Sequence, residues 1–220
     1  MRAEVMTLGA PNPRQREFLA CERKYVAFGG ARGGGKSWAV RCKAKLLALR
    51  YAGIRILLVR RSLAELEANH LAFLRQELAD VAEYRAGERQ FRFCNGSVLQ
   101  FGYCGCDRDL DRYQGAEDDV IFLDEATQLK EQWMRQIAAC VRGVNDFPKR
   151  IYYTCNPGGP GHGYIKRLFI DRRFEDGEQP EDYAFIPARV TDNAALLARQ
   201  PDYLKTLEAL PYKLRRAWLE

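Results

Sequence analysis

Residues 28 to 40 read FGGARGGGKSWAV, with five glycines in the seven positions from Gly29 to Gly35 and then Lys36 and Ser37. Glycine gives up more backbone freedom on ordering than any other residue, so it weakens regular structure. A run this dense marks a place that needs bare backbone. Gly30, Gly35, Lys36 and Ser37 have the spacing G-x-x-x-x-G-K-[ST]. KYVAF (24–28) before the loop reads as a short buried strand, and a helix follows from about Gly35 to Arg50. A loop between such a strand and helix turns several backbone N–H groups onto one anion, and the helix start adds partial positive charge. Gly30, Ala31, Arg32, Gly33, Gly34, Gly35, Lys36 and Ser37 are therefore predicted to cradle the phosphates of a nucleoside triphosphate. Lys36 would reach the outer phosphates as a point charge, and the Ser37 hydroxyl would help hold Mg²⁺.

The rest of the chain alternates strand and helix patterns. RILLVR (55–60) is a second apolar strand. SLAELEANHLAFLRQELADV (62–81) sets Leu63, Leu66, Leu71, Leu74 and Leu78 at helical spacing behind Ser62, a good N-cap residue. QFRFCNGSVLQFGY (90–103) alternates on both sides of Asn95-Gly96, which predicts a hairpin with a two-residue turn. DVIFLD (119–124) and RIYYTC (150–155) are further buried strands, with a helical stretch over 127–141 between them. This order predicts an α/β fold, a mostly parallel sheet with helices on both faces. Past Arg173 the sequence turns acidic at EDGEQPEDY, and then Tyr203, Leu204 and Leu207, and Leu214 and Trp218, recur at helical spacing. We expect a core over 1–173, with 90–103 as a hairpin insertion, and a small helical lid over 174–220 on the nucleotide side of the sheet.

Two further polar groups fall where strands end. DDVIFLDEAT carries four apolar residues into Asp124 and then Glu125. The C-terminal ends of parallel strands face the ligand crevice. Asp124 is placed there to hold Mg²⁺, and Glu125 to orient and activate a water for attack on the γ-phosphate. That pairing points to an ATPase over a small-molecule kinase, and to a P-loop NTPase of the additional-strand, catalytic-glutamate type. YYTCNPGG brings Thr154 and Asn156 to the same edge, where they would sense the γ-phosphate or the water. Asn-Pro-Gly-Gly is equally strong turn chemistry, so a plain strand-to-turn cap stands beside that reading.

Composition bounds the partners. The 220 residues suit one domain with at most a small appendage. A net charge of +6 allows an anionic partner as readily as a plain basic surface. No apolar run reaches membrane length and no signal-peptide pattern opens the chain, which reads as a soluble cytosolic protein. The seven cysteines are irregularly spaced and read as free thiols, several of them buried. Cys104 and Cys106, with two histidines in the whole chain, make a poor zinc set.

With these pieces in order, the chain resembles the ATPase domain of the large terminase subunit, the DNA-packaging motor of tailed bacteriophages. The resemblance rests on GGARGGGKS, RYQGAEDDVIFLDEATQL, NPGGPGHGYIKRLFI and PDYLKTLEALPYKLRRAWLE, from about Gln15 to Glu220. It implies ATP and Mg²⁺ as cofactors, Thr154-Cys155-Asn156 as the coupling motif and Gln15 as an adenine contact. It implies that Arg32 reaches the γ-phosphate in its own subunit. It also implies a homo-oligomeric ring in which one subunit's arginine completes its neighbour's site, with Arg142 and Arg112 as candidates. The implied partners are double-stranded DNA, a portal protein and a small terminase subunit, and the implied location is the cytoplasm of the infected bacterial host. Lys149, Arg150, Lys166, Arg167, Arg172 and Arg173 are candidates to face DNA phosphates. Large terminases usually carry a nuclease domain as well. No strand pattern with clustered acidic ligands follows here, so no nuclease activity is expected of this chain.

Two other functions fit the same loop. A helicase-like ATPase would reveal itself by ATP-driven strand separation. A nucleotide-gated assembly module would bind ATP with little turnover, which Glu125 argues against.

Overall fold

Four strands are apolar on both faces and can only be satisfied between two layers of helices. The computed structural model describes residues 9–212 and 215 and has that three-layer build. Its strands are β1 (Tyr25–Gly30), β2 (Arg55–Arg60), β3 (Ala82–Arg85), β4 (Gln90–Phe93), β5 (Val98–Tyr103), β6 (Val120–Leu123), β7 (Arg150–Cys155) and β8 (Tyr183–Ala188). They form one sheet in the order β3-β4-β5-β2-β6-β7-β1-β8. From β5 to β8 every neighbouring pair is parallel, while β3-β4 and β4-β5 are antiparallel. The strand β7 lies between β1, which leads to the phosphate loop, and β6, which leads to Asp124. That is the additional-strand arrangement expected from the sequence.

Each central strand feeds two cores by alternation. Val26, Phe28, Ile56, Leu58, Phe122 and Tyr152 face one core; Ala27, Leu57, Val59, Leu123, Ile151 and Tyr153 face the other. The first is covered by helices α1 (Pro13–Ala20) and α2 (Lys36–Arg50) and by a helical run from α3 (Leu63–Leu66) to α4 (Ala72–Glu77). The second is covered by α5 (Glu131–Ala138) and α6 (His162–Ile165). Phe18 stacks on Phe28 at 4.8 Å and Phe122 on Tyr152 at 4.8 Å, which ties α1 to the sheet through aromatic surface.

The structure corrects the sequence reading in five places. The segment 174–220 is not purely helical, because Tyr183–Ala188 pairs in parallel with β1 over six residues and closes the sheet. β1 would otherwise leave a row of N–H and C=O groups open. Pro187 has no N–H to donate and is tolerated because β8 is the edge. Two short helices, α7 (Ala194–Arg199) and α8 (Tyr203–Glu208), follow the strand. Leu214 and Trp218 lie outside the described residues. Second, the 90–103 hairpin is no insertion: β5 pairs with β2 and carries the sheet on to β4 and β3. Third, its turn has three residues. Phe93 N–H donates to Ser97 O at 2.9 Å and Gly96 takes φ +84°. Fourth, the helix after Asp124 begins only at Glu131, behind a 3₁₀ turn at Ala126–Gln128. Fifth, the 62–81 helix contains a π-helical turn at Glu67–Leu71 and ends at Glu77.

Candidate active site

Parallel strands of matched register deliver their C-terminal ends to one edge. Gly30, Arg60, Asp124 and Cys155 all sit there. At that edge the phosphate loop passes close to β8. Ala31 N–H donates to Ala188 O at 2.9 Å. A Cβ on Gly30 would stand 2.8 Å from the same oxygen, and its φ of +131° excludes most side chains. Gly35 caps α2 in the left-handed region, φ +76°, and a side chain there would collide with Gln15 Nε2. Lys36, buried at the first position of α2, donates from Nζ to Ala31 O at 2.6 Å and to Asn156 Oδ1 at 2.7 Å. Burial pushes its ammonium below the ordinary lysine range, against the attraction of Glu125 and Asp124. The exposed Arg32 adds a second positive charge that lowers it further.

Gln15 is drawn to the loop by local capping. It forms a capping box with Asn12 at the start of α1, with bonds of 2.8 and 2.9 Å. Its Nε2 donates to Gly35 O at 3.1 Å. It lines a cavity of about 720 Å³ together with Pro11, Trp38, Asp192 and Asn193. Asn193 Nδ2 in turn donates to Gly33 O at 2.6 Å, so the segment after β8 closes on the loop.

Asp124 is 1% exposed and accepts three hydrogen bonds. Thr154 Oγ1 donates to Oδ1 at 2.5 Å, Arg60 Nη1 to Oδ2 at 3.0 Å, and His70 Nε2 to Oδ2 at 2.8 Å. Burial alone would raise this carboxyl. His70, Arg60 and Thr154 outweigh it and hold the group well below the usual carboxylate range, so it is ionised. Sequence reasoning missed Arg60 and His70. Arg60 ends the strand beside β6, and the five-residue step from Leu66 to Leu71 was the trace of the π turn that carries His70.

Glu125 adopts a left-handed backbone, φ +53° and ψ +45°, at a cost of about 1–2 kcal/mol for a residue with a side chain. Its N–H donates to Thr154 Oγ1 at 2.8 Å. The Asn156 amide donates to both carboxylate oxygens, at 2.8 and 2.7 Å. A continuous polar chain thus runs from Ala31 O through Lys36 and Asn156 to Glu125. Thr154 and Asn156, which the sequence left open between a cap and a sensor, lie against the two acids: Thr154 touches both and Asn156 holds Glu125.

Ser37 stands in the first turn of α2, half-buried, and its hydroxyl makes no hydrogen bond among the described residues. Arg142 is brought nowhere near its own site. It donates to Ala116 O at 3.2 Å beside the start of β6, and its N–H donates to Asp118 O. Asp124 is six residues further along, about 20 Å at strand rise. Arg112 stacks on Tyr103, 4.1 Å from the ring centre. Of the basic residues proposed for DNA, Lys149 pairs with Asp119, Arg150 with Glu22, Lys166 with Asp171 and Arg167 with Glu178.

A family model described as "Terminase large subunit, T4likevirus-type, N-terminal" matches residues 27–218. The chain belongs to the large terminase family. No curated protein sequence matches this terminase chain. Its fold is similar to that of the large terminase of a thermophilic bacteriophage, solved with ADP, at a TM-score of 0.75 and 16% identity over 94% of this chain and 52% of that one. It is similar to the large terminase ATPase domain of Thermus phage P74-26, at 0.66 and 16% identity over 95% and 92%. The HK97 bacteriophage large terminase follows at 0.64 and 12% identity, over 96% and 50%. The terminase chain therefore spans about half the length of the first large terminases it matches. No described helix is long and apolar enough to cross a membrane.

The side chains present fit a magnesium ion. Ser37 and Asp124 offer oxygen donors only, and Asp124 is ionised. Among the described residues no cluster of three or more His, Cys, Asp or Glu forms a softer cage. Magnesium is typically held by one or two carboxylates together with substrate phosphates.

Proposed function

We propose that this chain is the ATP-hydrolysing motor domain of a large terminase and that it powers translocation of double-stranded viral DNA into a procapsid. The observation that carries this is the polar chain Lys36–Asn156–Glu125, which ties a phosphate-binding loop to a water-activating acid beside an ionised Asp124. The backbone N–H groups of 30–37 and the Lys36 ammonium hold the β- and γ-phosphates. Ser37 and Asp124 would hold Mg²⁺, which neutralises charge on the phosphates when bound. Glu125 takes the proton of a water as its oxygen bonds to the γ-phosphorus. The bond to the β-phosphate oxygen breaks, and ADP and phosphate leave. Arg32 stabilises charge on the transferred group from the same subunit.

Asn156 gives the coupling motif a physical meaning. Its carbonyl accepts from Lys36 while its amide holds Glu125. A phosphate that draws Lys36 away therefore alters the tether of the catalytic acid. The cavity beside Gln15 suits the base of the nucleotide. The thermophilic bacteriophage terminase was solved with ADP and with ATP-gamma-S, which supports nucleotide binding by this chain. The proposal extends to a ring of subunits in which Arg142 reaches a neighbour's nucleotide, with double-stranded DNA, a portal protein and a small terminase subunit as partners in the host cytoplasm.

Phosphate release from ATP, with and without linear double-stranded DNA, tests the reading. Wild type should turn over ATP, and Lys36→Ala should lose both nucleotide affinity and rate. Unchanged affinity and rate in Lys36→Ala would remove the loop from the site.

A further inference from the structure

Asp124 is held from behind by two residues that touch none of the groups assigned to phosphate. An ionised carboxylate offers about four lone-pair directions. Arg60 and His70 fill both on Oδ2, at 3.0 and 2.8 Å. Thr154 fills one on Oδ1, at 2.5 Å. A single direction, on Oδ1, is left for the site. Any rotation of the carboxylate breaks several of these bonds at once.

His70 is 0% exposed, and among the described residues this contact is the one hydrogen bond of its ring. Its Nδ1 has no partner among them. An orphaned buried polar atom costs about 1–3 kcal/mol, which an apolar side chain of similar size would avoid. Packing alone therefore favours another residue here. The backbone is adapted to the same end. Leu66, Leu71, Leu74 and Leu78 are buried, and the π turn at Glu67–Leu71 lets His70 face inward next to Leu71. Such turns occur often at functional sites. Arg60 reaches Asp124 because β2 and β6 are parallel neighbours, with Val59 opposite Leu123. Its guanidinium is buried beside the acid, and its Nε makes no hydrogen bond among the described residues, with the Glu65 carboxylate 3.3 Å away.

We propose that Arg60 and His70 are positioning residues that lock the Asp124 carboxylate into one orientation and so set the strength of Mg²⁺ binding with nucleotide. This rests on the reading of Asp124 as the magnesium-binding acid. Residues that orient a ligating carboxylate typically change metal affinity by about 10–100-fold when removed.

The test is the affinity of a fluorescent ATP analogue, measured first in EDTA and then across a Mg²⁺ titration, for wild type, His70→Phe and His70→Gln. In EDTA, His70→Phe should bind within about twofold of wild type, because the loop and Lys36 are untouched. The Mg²⁺ concentration giving half of the metal-dependent gain should rise about 10–100-fold. His70→Gln, which keeps an amide donor, should recover part of that shift. An unchanged Mg²⁺ midpoint in His70→Phe overturns the proposal. So does an EDTA affinity that falls as much as the Mg²⁺ affinity, since that marks general damage to the fold. Should His70→Phe fail to fold, Arg60→Lys carries the same comparison: it keeps the charge, loses the fork, and must shift the midpoint with EDTA binding intact. Wild-type binding that ignores Mg²⁺ would instead sink the reading of Asp124 itself.

Discussion

Thr154 carries two bonds with one hydroxyl. It donates to Asp124 Oδ1 and accepts from the Glu125 N–H, so it fixes both acids at the turn after β6. Thr154→Val keeps the shape and removes both bonds. The Glu125 N–H loses its partner in a residue already held in a left-handed conformation. We expect a stability loss of about 1–3 kcal/mol and a turnover loss of about 10–100-fold, with Thr154→Ser close to wild type. Thermal melts and steady-state rates check this, and a valine variant as active as wild type would remove the hydroxyl from the mechanism. Lys36, Ser37, Asp124 and Glu125 were legible in the sequence because local spacing alone specifies them. Arg60 and His70 were not. Their role depends on which strand lies beside β6 and on a π turn, and a single sequence states neither directly.

Elements show the same division. The buried strands announce themselves by uninterrupted apolar runs, and those assigned from the sequence are found in the sheet. β8 was hidden because YAFIPA follows an acidic stretch and contains a proline, which usually argues against a strand. The edge position removes that objection, but edges are set by tertiary pairing. The start of β6 holds a testable liability. Asp118 is 3% exposed, and burial pushes its carboxyl up to about 6 from 3.8, despite Arg55. Its folded pKa lies above its unfolded one. The folded state therefore holds a proton that the unfolded chain releases between about pH 4 and 6, and stability falls as pH rises through that window. The shift of about two pH units corresponds to about 3 kcal/mol at most. Asp118→Asn should raise stability at pH 8 by about 1–3 kcal/mol and change little at pH 4. Urea melts at the two pH values check it, and an equal effect at both would contradict the burial account.

At the scale of the molecule, the sheet separates the two groups of candidate residues by a strand length. The C-terminal edge of the parallel strands carries Lys36, Asp124 and Glu125, while Arg142 stands at the opposite edge. The proposed trans role for Arg142 requires a neighbour to bring its own start-of-sheet edge to this chain's Lys36 and Glu125. Arg142→Ala should then bind ATP normally and lose activity only where subunits assemble. Mixing it with Glu125→Gln protein should restore some turnover, because some interfaces pair an intact glutamate with an intact arginine. No recovery in mixtures shown to co-assemble would count against Arg142. The central claim, that Glu125 activates water in an ATP-hydrolysing site, has a more direct test. It is the paired measurement of ATP affinity and turnover in Glu125→Gln, which keeps the shape of the side chain and removes its charge. Affinity should stay within about threefold of wild type and turnover should fall by about 10²–10⁴-fold. Turnover within about threefold of wild type would contradict it.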